Sequence, residues 1–350
     1  MCGWRKAKTG QMTGTEPKLL IIGFSNVATK SGFSIPTIER LKSGWPGLKA
    51  FRVGLGALQP QVIPPYIRTA AETLGPFTHV LLEINSSAYA MHPLSTEENG
   101  RELLADILLT VQDCGAEAAF MLHLRHWTRQ IYVDFDALVR RFCTELDLPM
   151  IDLAEGWIAQ HGASQIAAWM RDETHTTKEG GEAMAETLTP FLIDFLNRKP
   201  SLTGRSLPRP RMRRGVLPTA PMLAGWPREQ HECLGLPLDF ARIEEAEARI
   251  QLGRTVRAQG LVYMFHRAGG RNSVALEPSG EALPLTTIDP NSNVSRVGVL
   301  AFDRMRGFDL QGLTISSTEP AEDIHLHKGV RERPLRIYVG PILTLEPVQD

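Results

Sequence analysis

The sequence predicts an α/β protein: a parallel sheet with helices on both faces, followed by an antiparallel β-sandwich or roll. Three observations predict it. First, Leu19–Ile22, Val80–Ile84 and Ala116–Leu124 are short runs dominated by apolar residues, without polar alternation, as strands buried on both faces require. Second, segments with helical spacing separate these runs, so strand and helix alternate. Third, the character changes at Arg198. Seven Lys or Arg and no acid lie between there and Trp226, and short strand-like segments follow between turns rich in Gly, Pro, Asn and Asp.

The elements follow in order. Residues 1–17 read as a polar arm. The first strand, Leu19–Gly23, leads through small and polar residues to a helix over Pro36–Lys42. A second strand spans Leu48–Val53, and a helix starts near Pro65, where proline suits a first turn. The third strand is Thr78–Ile84. The loop Ser86–Glu98 follows, then a helix over 99–113 with Leu103, Leu104, Ile107, Leu108 and Val111 on one face. After the fourth strand come a helix over Val133–Glu145, a short fifth strand at Leu148–Leu153, and helices over Gly156–Met170 and Glu179–Leu196. Residues 18–198 are thus expected to form one α/β domain. Residues 199–238 are expected to be a basic, proline-rich linker acting as a solvated spacer. Residues 239–350 are expected to form a β-rich domain that opens with a short amphipathic helix carrying Ile243, Ala246 and Ile250.

Composition bounds the class. The chain has 350 residues, 43% hydrophobic and 22% charged, with a net charge of −1. That is a globular composition large enough for two domains. The balanced charge gives no reason to expect nucleic acid as a partner. Cys2, Cys114, Cys143 and Cys233 show no metal-like pairing, and no metal site is expected. No apolar run approaches a membrane span, and no signal-peptide pattern opens the chain, so a cytoplasmic location is expected. The β-rich part is a possible route to a homo-oligomer.

The candidate chemistry begins at Ser25. It follows the first strand, where open α/β sheets place ligands. Taken alone, such a serine reads as a helix cap. Far downstream, Asp172-Glu-Thr-His175 precedes a helix, and on its own it reads as an acidic cap. Taken together, these residues supply a nucleophile, a base and a carboxylate that orients the base. His123 and His126, at the end of the fourth strand, are candidates for substrate contact, as are Asn26 and Tyr89.

These blocks resemble the SGNH, or GDSL-type, hydrolases over residues 18–198. Gly23-Phe-Ser25-Asn resembles the nucleophile block, and Asp172-x-x-His175 with Gly180-Gly181 resembles the final block. Phe51-Arg-Val-Gly54-Leu-Gly56 and Val80-Leu-Leu-Glu-Ile-Asn85 stand where the two intervening blocks belong. Two positions depart from the family pattern: Phe24 where Asp usually precedes the nucleophile, and Glu83-Ile-Asn85-Ser86 for Gly-x-Asn-Asp.

The resemblance implies a three-layer, flavodoxin-like sheet and a serine esterase that needs no cofactor. It implies Ser25, His175 and Asp172 as catalytic residues, with an oxyanion hole from the Ser25 N–H, a glycine N–H and the Asn85 amide. Gly56 is favoured as the glycine because it ends the strand, with Gly54 second. The substrate would be a small-molecule or glycan O-acyl ester, short-chain and possibly an O-acetylated carbohydrate. The same residues would serve an O-acyltransferase acting in glycan modification. A third reading is a binding protein with a decayed site.

Overall fold

The computed structural model describes residues 16–87, 96–125, 130–219, 222–223, 225–289, 295–302, 306–319, 326, 332 and 334–348. Its first sheet is built on β1 (Lys18–Gly23). β2 (Lys49–Gly54) pairs with one edge of β1, and β3 (His79–Glu83) with the other. β4 (Glu117–Leu122) and β5 (Met150–Asp152) continue outward, so five parallel strands run in the order β2-β1-β3-β4-β5.

The aliphatic run of β1 is used on both faces, as its lack of alternation predicts. Leu19 and Ile21 pack with Val27, Phe33, Met184 and Leu188, on the side of α1 (Ser25–Ala28), α2 (Ser34–Gly44) and α8 (Lys178–Leu196). Leu20 and Ile22 pack with Ile67, Leu104, Leu108 and Phe135, from α3 (Ile63–Leu74), α4 (Glu97–Asp113) and α5 (Gln130–Glu145). All four strand side chains are fully buried. Each such burial stabilises the fold by about 1.5–3 kcal/mol. The helix expected over 156–170 is broken at Gly162 into α6 (Gly156–His161) and α7 (Ala163–Trp169).

The second sheet has nine antiparallel strands. They are β6 (Met212–Leu217), β7 (Arg228–Cys233), β8 (Leu236–Ile243), β9 (Glu247–Phe265), β10 (Arg271–Glu277), β11 (Ala282–Thr286), β12 (Arg296–Ala301), β13 (Phe308–Glu319) and β14 (Ile337–Pro347). The path runs β11-β10-β13-β9-β14-β8-β7, with β12 on β9 and β6 on β14. Two expectations are corrected here. The stretch 199–238 is not simply a spacer, because it supplies β6 and β7. The amphipathic helix expected around Ile243–Ile250 is instead the end of β8 and the start of β9. Ala248, Ile250 and Leu252 alternate inward on β9 with the period of two that a strand requires, and Ala246 lies exposed in the turn before it.

The long strand β9 joins the two sheets. Leu261 and Tyr263 face the β-rich core, whereas Val262 and Met264 face a core shared with Leu58, Val62 and Tyr66. The basic run is bound within the chain. Arg213 Nε lies 2.9 Å from Asp106 Oδ1 on α4, and Arg214 Nη1 lies 3.1 Å from Asp106 Oδ2. The Arg214 backbone N–H donates to the same carboxylate at 2.9 Å. Arg211 pairs with Glu98 and Glu102 on the same helix. Complementary acids on α4 thus dock these arginines, a pairing that composition counts cannot reveal. No helix among the described residues is long and apolar enough to cross a membrane.

Candidate active site

β1 connects to neighbours on both its edges, so the ends of β1 and β3 flank the point where the strand order reverses. Open α/β sheets form ligand clefts there. Ser25 is the first residue of α1, immediately past β1, and is half-buried. Its N–H belongs to the first turn, which has no acceptor within the helix. The segment before it is held by Glu83, fully buried at the end of β3. The Phe24 N–H donates to Glu83 Oε2 at 3.0 Å. The Asn85 and Ser86 N–H groups donate to Oε1 at 3.1 and 2.8 Å, and Ser86 Oγ donates to Oε2 at 2.8 Å. One carboxylate therefore clamps the turns after β1 and β3 together. The signal for this role was an acid inside an otherwise aliphatic strand. In the sequence Glu83 stands out only as a departure from the pattern of the hydrolases it resembles.

His175 lies in the loop before α8. Its Nδ1 is 2.8 Å from both Asp172 carboxylate oxygens, which fixes Nδ1 as the protonated, donating nitrogen and leaves Nε2 as the basic one. Partial burial acts to raise the Asp172 carboxyl. The Thr174 and His175 N–H groups and the His175 ring outweigh it and hold the carboxyl down at about 2.

This loop is tied to the residue after Ser25. Asn26 Nδ2 donates to the Thr174 carbonyl at 2.8 Å, and the Thr176 N–H donates to Asn26 Oδ1 at 3.3 Å. Thr176 Oγ1 also donates to the Ser31 carbonyl at 2.9 Å. The glycine pair at the start of α8 permits the close approach. A Cβ on Gly181 would stand 2.3 Å from the Ser31 carbonyl oxygen, and one on Gly180 would stand 2.2 Å from that of Trp169.

The two glycines are distinguished by their hydrogen bonds. The Gly54 N–H donates to the Leu234 carbonyl at 3.0 Å. Gly56 adopts a left-handed φ of 60°, a conformation that favours glycine, and is half-buried just beyond the end of β2. With the Gly54 N–H engaged, Gly56 is the candidate left of the pair.

Three expected roles change. Asn85 is fully buried, and its amide donates to the His123 carbonyl and to Asp136 Oδ1, both at 3.2 Å. Its own carbonyl accepts the His123 N–H at 2.7 Å. With both N–H groups engaged, Asn85 ties β3 to β4 and presents no donor to an oxyanion. Asn26 is fully buried and positions the histidine loop, so it is not a substrate contact. His123 is also fully buried, packed 5.9 Å from the Phe33 ring, with Nδ1 2.5 Å from the Leu124 carbonyl. Fully buried, it offers no surface to a substrate. Tyr89 and His126 lie outside the described residues.

The thiols are poor alternatives to Ser25. Burial pushes the Cys143 thiol up to about 12. Burial, with Glu232 nearby, pushes Cys233 up to about 11, so both stay protonated at neutral pH.

The fold is a three-layer, flavodoxin-like α/β sheet extended by a second, β-rich part. A structure of a two-domain esterase active on acetylated mannans, co-crystallized with mannopentaose, superposes with a TM-score of 0.63 at 12% identity, covering 95% of this chain and 92% of that one. A second structure described as the same two-domain esterase gives 0.64 at 11% identity with the same coverage. At such identities the likeness is one of fold alone. No protein-family profile and no curated protein matches the chain.

Proposed function

We propose that the chain is a serine esterase that hydrolyses an O-acyl ester through an acyl-enzyme. The observation that supports this reading is the Asp172–His175 pair, in a loop hydrogen-bonded to Asn26, the residue after Ser25. In this scheme His175 Nε2 takes the proton of Ser25 Oγ as the oxygen attacks the ester carbonyl. Asp172 stabilises the imidazolium that forms. The N–H groups of Ser25 and Gly56 receive the developing oxyanion, and one such donor is typically worth about 10²–10³ in rate. His175 returns the proton to the leaving alcohol. Water then repeats the sequence on the acyl-enzyme and releases the acid.

The proposed alcohol is a carbohydrate and the proposed acyl group is short, acetyl first. The likeness in fold to an esterase active on acetylated mannans supports this choice, because it spans both parts of the chain.

The wild-type chain is expected to hydrolyse p-nitrophenyl acetate and to take one fluorophosphonate adduct, on Ser25. Ser25→Ala should do neither. Asp172→Asn should lower kcat about 10⁴-fold by disfavouring the required tautomer. Mass spectrometry placing the label on another residue, or finding none, would overturn the proposal.

A further inference from the structure

β2 is an edge strand of the parallel sheet, so alternate N–H groups along it point away from β1. At its end that edge meets the turn Leu234–Gly235, which joins β7 to β8. The Gly54 N–H donates outward to the Leu234 carbonyl at 3.0 Å, and the next N–H, of Leu55, donates inward to the Gly23 carbonyl at 2.7 Å. Gly56 follows directly. The fit is close on both sides. A Cβ on Gly235 would stand 2.3 Å from the Arg52 carbonyl oxygen, and one on Gly54 would stand 2.4 Å from Ala28 Cα on α1. The Arg52 guanidinium donates to the Val27 and Ala28 carbonyls at 2.8 and 2.9 Å, at the end of the helix that Ser25 begins.

The turn is shaped to deliver that carbonyl. Leu234 and Gly235 both take a positive φ, 61° and 85°, and the loop of two residues pairs Cys233 with Leu236. This is the primed turn that matches the twist of a hairpin. Glycine suits its second place. Leucine in the first is uncommon, because a bulky side chain resists a positive φ. The Leu234 side chain packs against the core that holds Leu236 and Phe240, and this packing keeps the turn in its costly conformation. A neighbour that merely covered the edge of β2 would need no such fit. Here one carbonyl meets the N–H two residues before Gly56.

We propose that the β7–β8 hairpin positions the loop that carries the oxyanion donor. The Leu234 carbonyl fixes the Gly54 peptide from outside the sheet, Gly23 fixes Leu55 from within it, and the Gly56 N–H takes its place from both bonds. Leu234 and Gly235 are thus positioning residues that the β-rich part supplies to chemistry in the α/β part. The role rests on the esterase reading, since without attack on an ester there is no oxyanion to receive.

The experiment uses the full chain and p-nitrophenyl acetate. Rates are counted per site that a fluorophosphonate labels at completion, so that unfolded molecules do not enter them. Gly235→Asn keeps the left-handed turn, which asparagine tolerates, and drives a Cβ towards the Arg52 carbonyl. A second variant adds one glycine between Leu234 and Gly235. Hairpins accept loops of three residues, and the Leu234 carbonyl moves. Each variant should lower kcat per labelled site about 10²-fold, the cost of a displaced oxyanion donor. KM and the pH midpoint of kcat should stay as in the wild type, because the Asp172–His175 pair is untouched. Gln230→Ala removes an exposed bond to Asp239 in the same hairpin, away from the turn, and should keep the wild-type kcat. Thermal unfolding checks that each variant is folded.

Wild-type kcat in a folded turn variant overturns the positioning role and leaves the esterase reading standing. So does a shifted pH midpoint, which would place the damage at His175. An equal loss in Gln230→Ala also overturns it, because any loosening of the hairpin would then suffice. Loss of folding in both turn variants makes the hairpin a part of the fold alone and removes the role. A wild-type chain that hydrolyses nothing loses the esterase reading, and the role with it.

Discussion

The Phe24 N–H donates to Glu83 Oε2 at 3.0 Å, in a place fully shielded from water. That bond ties the residue before Ser25 to the end of the neighbouring strand. Where the family usually carries an aspartate before the serine, this chain carries Phe24, buried with the shared core. The carboxylate at this point comes from β3.

Glu83→Gln replaces one acceptor oxygen with a donor that faces groups which themselves donate. Leaving such buried groups unpaired costs about 1–3 kcal/mol. The turn bearing Ser25 would shift, and a displacement of about 1 Å can cost 10²-fold in rate. Ester hydrolysis by Glu83→Gln should therefore fall well beyond what partial unfolding explains. Wild-type kcat in a folded variant would remove Glu83 from the site.

Asn26→Ala removes the two hydrogen bonds that Asn26 makes to the His175 loop and leaves the bond from Thr176 Oγ1 to the Ser31 carbonyl. Each hydrogen bond contributes about 1 kcal/mol, so the variant should stay folded. Its kcat should fall much more than its KM rises, because the base and not the substrate loses its place. Asn26→Asp should not restore the rate, since a carboxylate cannot donate to the Thr174 carbonyl. Restoration by Asp would show that loop position does not depend on this bond.

Asp106 is fully buried beneath Arg213 and Arg214. Asp106→Asn removes the countercharge of the buried Arg214, while Arg213 keeps Asp113 Oδ2 at 2.8 Å, and breaking a buried pair typically costs about 3–5 kcal/mol. Urea unfolding should show a lower midpoint by a corresponding amount. The loss should be nearly the same at low and high salt, because the pair is shielded from screening ions. A variant as stable as the wild type would mean that these arginines find solvent instead.

Burial holds the His79 imidazole down at about 4, against the raising effect of Glu117. Burial likewise lowers His123, with Glu83 acting against it. In the unfolded chain both would titrate near the ordinary value of about 6.5. Their neutral forms therefore contribute stability that is fully present above about pH 6.5. It is lost as the pH falls below that, for His79 towards about 4, because the unfolded state takes up protons that the folded state refuses. For His79 alone the loss is about 3 kcal/mol over that window. Unfolding measured from pH 7 to 4 should show the decline, and His79→Phe should flatten part of it. An unchanged slope in His79→Phe would count against its being buried in the neutral form. Asp172 acts lower, losing its contribution as the pH falls from about 4 towards about 2.

What the sequence determined by itself was the α/β order of the first half, the strand-rich second half, and the pairing of Asp172 with His175. These are properties of local pattern. Aliphatic runs specify strands buried on both faces, and Asp and His three apart within one loop can meet without help from the rest of the chain. Tertiary structure decided the roles that depend on what faces a side chain from a distant segment. Asn85 and Asn26 are donors by residue type, but their N–H groups are already engaged, by His123 and Asp136 in one case and by Thr174 in the other. The basic run looked like a solvated spacer until α4 placed Asp106 beneath it. Ile243, Ala246 and Ile250 have helical spacing, yet Ala246 lies exposed in the turn between β8 and β9, and the neighbouring strands settled the choice. A hydrogen bond or a buried charge pair belongs to two residues at once, and only the folded chain brings the second one within reach.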